Sequence, residues 1–306
     1  MNPLAPKLPR WLSQTQFTSL KISCGLYTPR EYLPELFRGY LLTGSSRPTE
    51  LFSESRLDRL LNVLELANKY CFSSLESWTI DRIYNLVNKT NDLLRSASST
   101  LLARILHLAV LSNHQRLQDL VTQNLICRIL WYNTRPETIL PIAEMHGLRT
   151  LQGVCYYRQL VKLERMSNAC DRDASSYRGS MKTQFPEDMT VEARLRFLSA
   201  HESLLSLWTQ IRSSPPPFCM DDCPFHDHCQ DGWQAIWEEA LEVDQAFFYG
   251  SADLLGRLKS TLFCVRKMLA DTTRMSTTCK LGALESLSFL RDEIIEGMLT
   301  HFEEPS

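Results

Sequence analysis

The sequence has almost no excess of charge of either sign, because 33 lysines and arginines stand against 35 aspartates and glutamates in 306 residues. A protein that holds the phosphate backbone of a nucleic acid needs a concentrated basic surface. The charge balance therefore gives no reason to expect a nucleic acid as partner. With 44% hydrophobic residues, the chain does have enough apolar surface for a sizeable buried core.

Long hydrophobic runs are also missing. The richest apolar stretch, 101–111, contains Arg104 and His107 and is shorter than the roughly 20 residues that cross a bilayer. The first residues contain no apolar segment of the kind found in secretory signals. We therefore expect an intracellular protein, cytoplasmic or nuclear, with no membrane partner. In such a compartment the ten cysteines are thiols or metal ligands rather than a disulfide framework.

The chain lacks the short motifs that carry common enzymatic chemistry. Its 11 glycines are scattered, and it contains neither a Walker loop nor Gly-x-Gly-x-x-Gly nor Gly-x-Ser-x-Gly. His201 and Glu202 begin like the helix of a zinc protease, but Leu205 stands where the second histidine is required. These absences predict a non-enzymatic protein.

One helical phrase occurs three times. Its copies are Leu64, Leu66, Ala67 and Leu75; Leu106, Leu108, Ala109 and Leu117; and Leu140, Ile142, Ala143 and Leu151. In each copy the alanine precedes the last leucine by eight residues, which indicates one structural unit used three times. The phrase predicts a helix that ends near a small residue, a short polar turn, and a second helix packed on the first, because a small side chain lets helices approach closely.

Helical periodicity covers most of the remaining chain. Leucines 57, 60, 61 and 64 form one apolar stripe with Ala67, and Thr190 is a suitable N-cap for a helix that begins at Val191. Further helices are predicted at 233–249, 253–270 and 279–301. The fold class is therefore mostly α, with stacked helical hairpins followed by a second helical region.

The densest group of potential metal ligands lies in a Cys/His loop, residues 218–230. It consists of Cys219, Cys223, His226, His228 and Cys229. Zinc takes four such ligands in a tetrahedron, and three cysteines with one of the two histidines would supply them. The spacing Cys-x3-Cys-x5-Cys differs from the paired Cys-x2-Cys of familiar zinc modules. A polar loop with free thiols and a disulfide or redox switch are therefore the alternatives to structural zinc.

A family resemblance is found upstream of this loop. Residues 36–44, LFRGYLLTG, precede the helix LLNVLELANKY at 60–70 and then Leu75. This order resembles the second half of BTB/POZ domains, where a YLYTG-like turn precedes a helix of the form LL-x2-A-x-KY. The phrase at 143–148, Leu207–Trp208 with the proline run, and Trp233-x3-Trp237 are similar to fungal BTB domain-containing proteins. Residues 1–32 are too few for the first half of the domain, so we expect a truncated or divergent member.

The resemblance implies both a domain organisation and a function. The predicted ranges are an irregular leader at 1–32, the BTB C-terminal half at 33–90, BACK-like hairpins at 98–165, a linker at 166–188 and a C-terminal helical region at 189–301. The implied function is a protein–protein interaction scaffold, a divergent adaptor whose partner is a cullin-type ubiquitin ligase. The alternative is a metal- or redox-responsive regulatory protein that acts through the Cys/His loop.

Overall fold

The computed structural model describes residues 54–89, 94, 96–132, 134–170, 185–187, 189–218, 223–242 and 249–303. Every regular element in these ranges is helical, which confirms the mostly α fold class. The predicted leader, the BTB-like phrase at 36–44, Cys219 and residues 171–184 of the predicted linker lie outside the described residues. None of the helices in the described ranges combines the length and apolarity needed to cross a lipid bilayer.

The chain divides into two compact units between Ile142 and Ala143. The helices of the first unit are α1 (Glu54–Lys69), α2 (Ser73–Lys89), α3 (Ser99–Leu111) and α4 (Gln115–Trp131), followed by a 3₁₀ turn (Pro136–Thr138) and α5 (Leu140–Met145), which contains the division. Helix α1 packs on α2 and α3, and α3 packs on α4. The predicted stripe of leucines 57, 60, 61 and 64 with Ala67 is buried. The domain ranges drawn from the sequence stay predictions.

The second unit contains the remaining helices. They are α6 (Arg149–Cys170), α7 (Val191–Ser213), α8 (His226–Glu242), α9 (Leu254–Asp271) and α10 (Thr277–Glu296), with a 3₁₀ turn at Met298–Phe302. The 3₁₀ turn packs against α6 and α7, and α9 packs against α8 and α10. Thr190 caps α7 as predicted, since its hydroxyl accepts the N–H of Ala193 at 3.2 Å.

The recurring phrase corresponds to one connector geometry. In each copy the alanine carbonyl accepts a hydrogen bond from the N–H five residues later: Ala67 from Phe72 (2.8 Å), Ala109 from His114 (2.9 Å) and Ala143 from Leu148 (2.9 Å). The residue before each donor has a left-handed backbone: Cys71 (φ 57°), Asn113 (φ 50°) and Gly147 (φ 64°). This combination is the Schellman motif, which satisfies the last carbonyls of a helix. The three copies therefore share a helix end, a tight turn and an immediate new helix.

Burial explains why alanine and leucine recur at these positions. All three alanines are fully buried, and the leucine that forms the third residue of each following helix is buried as well, as seen for Leu75, Leu117 and Leu151. Leu66 is the exception within the phrase, because it is 54% exposed while the matching Leu108 and Ile142 are buried.

A buried polar network fixes the start of α9 to α6. The carboxylate of Glu164 accepts the backbone N–H of Ser251, the Ser251 hydroxyl at 2.5 Å and the N–H of Ala252 at 3.0 Å. Asp253 caps α9 by accepting the N–H of Gly256 at 3.0 Å, and the hydroxyl of Tyr157 donates to the same carboxylate at 2.8 Å. Side chains of α6 therefore set where α9 begins.

Candidate metal centre

Helix α8 begins at His226, several residues earlier than the predicted helix at 233–249. The predicted Cys/His loop at 218–230 is therefore helical from His226 onward, and the predicted start of the helix at 233 is corrected. The N–H of Cys229 donates to the carbonyl of Phe225 at 3.1 Å and so forms the first turn. Asp227 lies in that turn, where its negative charge interacts favourably with the helix N-terminus.

Three side chains of the second unit bring potential metal ligands together. The ligand atoms of Cys223, His226 and Cys279 all lie within 4.8 Å of one another, and this group is called the cluster below. The His226 Nδ1 and Cys279 Sγ atoms are 3.7 Å apart. Cys279 is the third residue of α10 and is buried, whereas Cys223 and His226 are partly exposed. Two sulfurs and an imidazole nitrogen at these separations can hold a metal ion.

The other predicted ligands occupy different surroundings. Cys229 is buried in α8, and its sulfur lies 3.9 Å from that of Cys223. It also accepts the N–H of Ser276 at 3.4 Å. His228 is exposed and does not belong to the cluster, because two residues along a helix lead to nearly the opposite side from His226. Cys223, Cys229 and Cys279 are free thiols, as are Cys71, Cys127, Cys155 and Cys264.

Aromatic side chains pack around His226 and the following turns of α8. The buried Phe218 ring packs edge-on against His226, with ring centroids 5.3 Å apart, and against Trp233 at 6.4 Å. The Trp233 indole N–H donates to the carbonyl of Pro216 at 3.1 Å, which fixes the segment that follows α7. Trp233 and Trp237 are both buried, so this tryptophan pair belongs to the core rather than to an exposed partner surface.

The local environment shifts the pKa values of Cys279 and Cys223 in opposite directions. Burial raises the pKa of Cys279 to about 11, and the neighbouring sulfurs of Cys223 and Cys229 act in the same sense. The Ser276 hydroxyl, 3.6 Å from the Cys223 sulfur, lowers the pKa of Cys223.

Cys279 is the site residue that the sequence pattern does not identify. The candidate ligands from the sequence form one short run, and Cys279 reaches them only through the packing of α10 on α8. The available signal is its position at the start of a predicted helix, which many cysteines share. Comparisons of this chain with protein-family models, with curated proteins and with solved structures find no match.

Proposed function

We propose that this protein is a non-enzymatic scaffold for protein–protein interactions, of the kind that the BTB resemblance implies. The main support for this proposal is an exposed apolar ridge on α7. The ridge consists of Val191, Leu195 and Leu198, whose side chains are 70%, 61% and 47% exposed. Spacings of four and three residues place all three on one side of the helix.

Helix α7 also has a buried apolar side. Phe197, Leu204 and Trp208 are buried within the second unit, as an ordinary core face requires. The solvent side of such a helix is normally polar, and adjoining exposed apolar groups are typical of surfaces that another protein covers. The occupant that fits a ridge with this spacing is an apolar helical face of a partner protein.

The partner class comes from the family resemblance. A cullin-type ubiquitin ligase is the partner that a divergent BTB adaptor would bind, and the ridge is the surface we assign to that contact or to another protein in its place. A second copy of this chain is the competing occupant.

Affinity purification from cells of the source organism tests the proposal when a ridge variant is compared with wild type. The variant Leu195→Glu/Leu198→Glu places charge on the ridge, while Leu281→Glu changes a leucine of α10 that is also exposed, at 62%. We expect proteins that copurify with wild type and with Leu281→Glu but not with the ridge variant. A cullin among them supports the adaptor role, and ridge-dependent partners without a cullin support a scaffold of another kind.

Two outcomes would contradict the ridge as a partner surface. Identical copurifying proteins for wild type and the ridge variant would remove its role. Self-association of purified wild type in light scattering, lost in the ridge variant and kept in Leu281→Glu, would identify a second copy as the occupant instead.

The cluster favours a second candidate, a regulatory protein that responds to metal. We propose zinc as its ion, because thiolate and imidazole ligands in a small site suit zinc better than magnesium or calcium.

Chelation of the metal during affinity purification separates this candidate from the plain scaffold. A metal-responsive protein changes its partners when a chelator is present, and a scaffold that is only stabilised by metal keeps them under conditions where it stays folded. Peroxide treatment of cells that converts Cys223 and Cys229 to a disulfide would favour the redox alternative.

A further inference from the structure

Cys229 lies next to the cluster and is the candidate for the fourth ligand of a tetrahedral site, although its sulfur falls outside the group of three ligand atoms that all lie within 4.8 Å of one another. With zinc–sulfur bonds of about 2.3 Å and zinc–nitrogen bonds of about 2.0 Å, two sulfurs are about 3.8 Å apart, and sulfur and nitrogen about 3.5 Å. The Sγ atoms of Cys223 and Cys229 are 3.9 Å apart, and Cys279 Sγ is 3.7 Å from His226 Nδ1. These two pairs share no atom, so they match two opposite edges of a zinc tetrahedron to within about 0.2 Å. The Cys229 side chain has to turn toward the other ligand atoms for the remaining edges to close.

The backbone supplies the four side chains from three segments. His226 and Cys229 are three residues apart on α8 and therefore share one side of that helix. Cys223 comes from the turn before α8, and Cys279 from the first turn of α10. An ion at this point would join the start of α8 to the start of α10, which the chain otherwise connects only through α9.

Ser276 provides hydrogen bonds around the sulfurs. Its N–H donates to Cys229 Sγ at 3.4 Å, and its hydroxyl lies 3.6 Å from Cys223 Sγ. The same hydroxyl accepts the N–H of Cys279 at 3.2 Å and caps α10. Donors directed at sulfur stabilise thiolates, and such surrounding groups orient the ligands of metal sites.

His226 has a partner on the ring nitrogen that faces away from the sulfurs. Its Nε2 lies 3.0 Å from the side-chain amide of Gln230. When Nδ1 binds a metal, Nε2 carries the proton and needs an acceptor, which the Gln230 amide provides through its oxygen once the amide is rotated.

We propose that Cys223, His226, Cys229 and Cys279 form a structural Cys3His zinc site that fastens α8 to α10. This inference rests on the zinc ion proposed for the cluster, and adds Cys229 as the fourth ligand. With four protein ligands the site is closed, so the ion stabilises the fold and has no open position for a substrate.

Cobalt substitution of the purified full-length chain tests the fourth ligand, because Co²⁺ in place of zinc gives sulfur-to-metal charge-transfer bands and visible bands typical of tetrahedral geometry. For wild type we expect one Co²⁺ per chain with both features. Cys229→Ser should lose about one third of the charge-transfer intensity, since one of three thiolates is removed. Cys264→Ser and His228→Ala, which change a cysteine and a histidine outside the site, should match wild type.

X-ray absorption of zinc-loaded wild type provides a measurement that does not depend on how a variant folds. The expected first shell contains three sulfurs and one nitrogen. A shell with two sulfurs, or a Cys229→Ser spectrum equal to that of wild type, would overturn the role of Cys229 while leaving metal binding by the cluster intact. A wild-type chain that binds neither Co²⁺ nor Zn²⁺ would overturn the proposed zinc ion itself.

Discussion

Each of the three helix connectors depends on one residue with a left-handed backbone conformation. Gly147 adopts left-handed φ at little cost, whereas Cys71 and Asn113 hold the same conformation with side chains that disfavour it. Asparagine tolerates this region better than most residues, because its short polar side chain can hydrogen-bond locally. At these positions the presence or absence of a Cβ atom should therefore change the free energy of unfolding measurably.

Gly147→Ala should lower the free energy of unfolding by about 1 kcal/mol, because alanine is strained at positive φ. A Cβ at Gly147 has no other atom within 4 Å, so the effect is one of backbone conformation alone. Asn113→Gly should be neutral or slightly stabilising for the same reason. Urea unfolding followed by circular dichroism measures both. An alanine variant as stable as wild type would contradict the strain.

Gly153 allows a close approach between α6 and the 3₁₀ turn at Met298–Phe302. A Cβ there would lie 2.5 Å from the backbone nitrogen of Leu299, so Gly153→Ala should destabilise the protein by about 1–3 kcal/mol. The matched control is Gly232→Ala, whose Cβ would lie 3.2 Å from the flexible Met275 side chain. Thermal melting should show a much larger loss for Gly153→Ala. Equal melting temperatures for the two variants would contradict this close contact.

Glu164 is the residue on which the start of α9 depends. Glu164→Gln replaces one carboxylate oxygen by an amide nitrogen, which must then face a donor from Ser251 or Ala252. We expect a loss of about 1–3 kcal/mol in the free energy of unfolding, since a buried N–H is left without an acceptor. The exposed Glu192→Gln is the control. Equal urea midpoints for the two variants would show that the network contributes nothing.

At the scale of elements, the same connector follows α1, α3 and α5. The helix ends two residues after the alanine, and the next helix begins six residues after it in every copy. Helix capping and close packing account for this spacing, so the three copies need not descend from one repeated unit. The third copy lies at the division between the two compact units, so the phrase does not mark one uniform array.

Replacing the connector alanines by leucine should destabilise the helix pairs. For Ala67→Leu, Ala109→Leu and Ala143→Leu we expect losses of about 1–3 kcal/mol each through overpacking, since all three sites are fully buried. Leu66→Ala, next to Ala67 but exposed, should cost less than about 0.5 kcal/mol. Thermal melting unchanged by all three leucine variants would contradict the packing role of the alanines.

Local patterns predict the helices well and their first turns less well. The leucine stripe of α1, the cap at Thr190 and the turn at Gly147 all follow from residues close in sequence. The start of α8 at His226 was not predicted, because two histidines, a cysteine and an aspartate have no apolar periodicity. A tertiary hydrogen bond from the N–H of Ser276 to the sulfur of Cys229, at 3.4 Å, supports this turn.

At the scale of the whole molecule, the candidate site combines what sequence can and cannot reveal. Cys223, His226 and Cys229 lie in one run that chemistry alone identifies as possible metal ligands. Cys279 enters only through the packing of α10, and the exposure of His228 depends on the rotation of α8. Pairing between distant helices is a property of the folded core, so no local pattern reports it.

The zinc content of the purified chain, measured before and after chelation, is the most direct test of the structural zinc site. We expect one zinc ion per chain, and a lower melting temperature once it is removed, because the binding energy of a structural ion is also folding energy. Cys279→Ser should lose most of the zinc and melt earlier, whereas Cys264→Ser should keep both properties. Less than about a tenth of an equivalent of zinc, with melting unaffected by chelation, would contradict a structural zinc site.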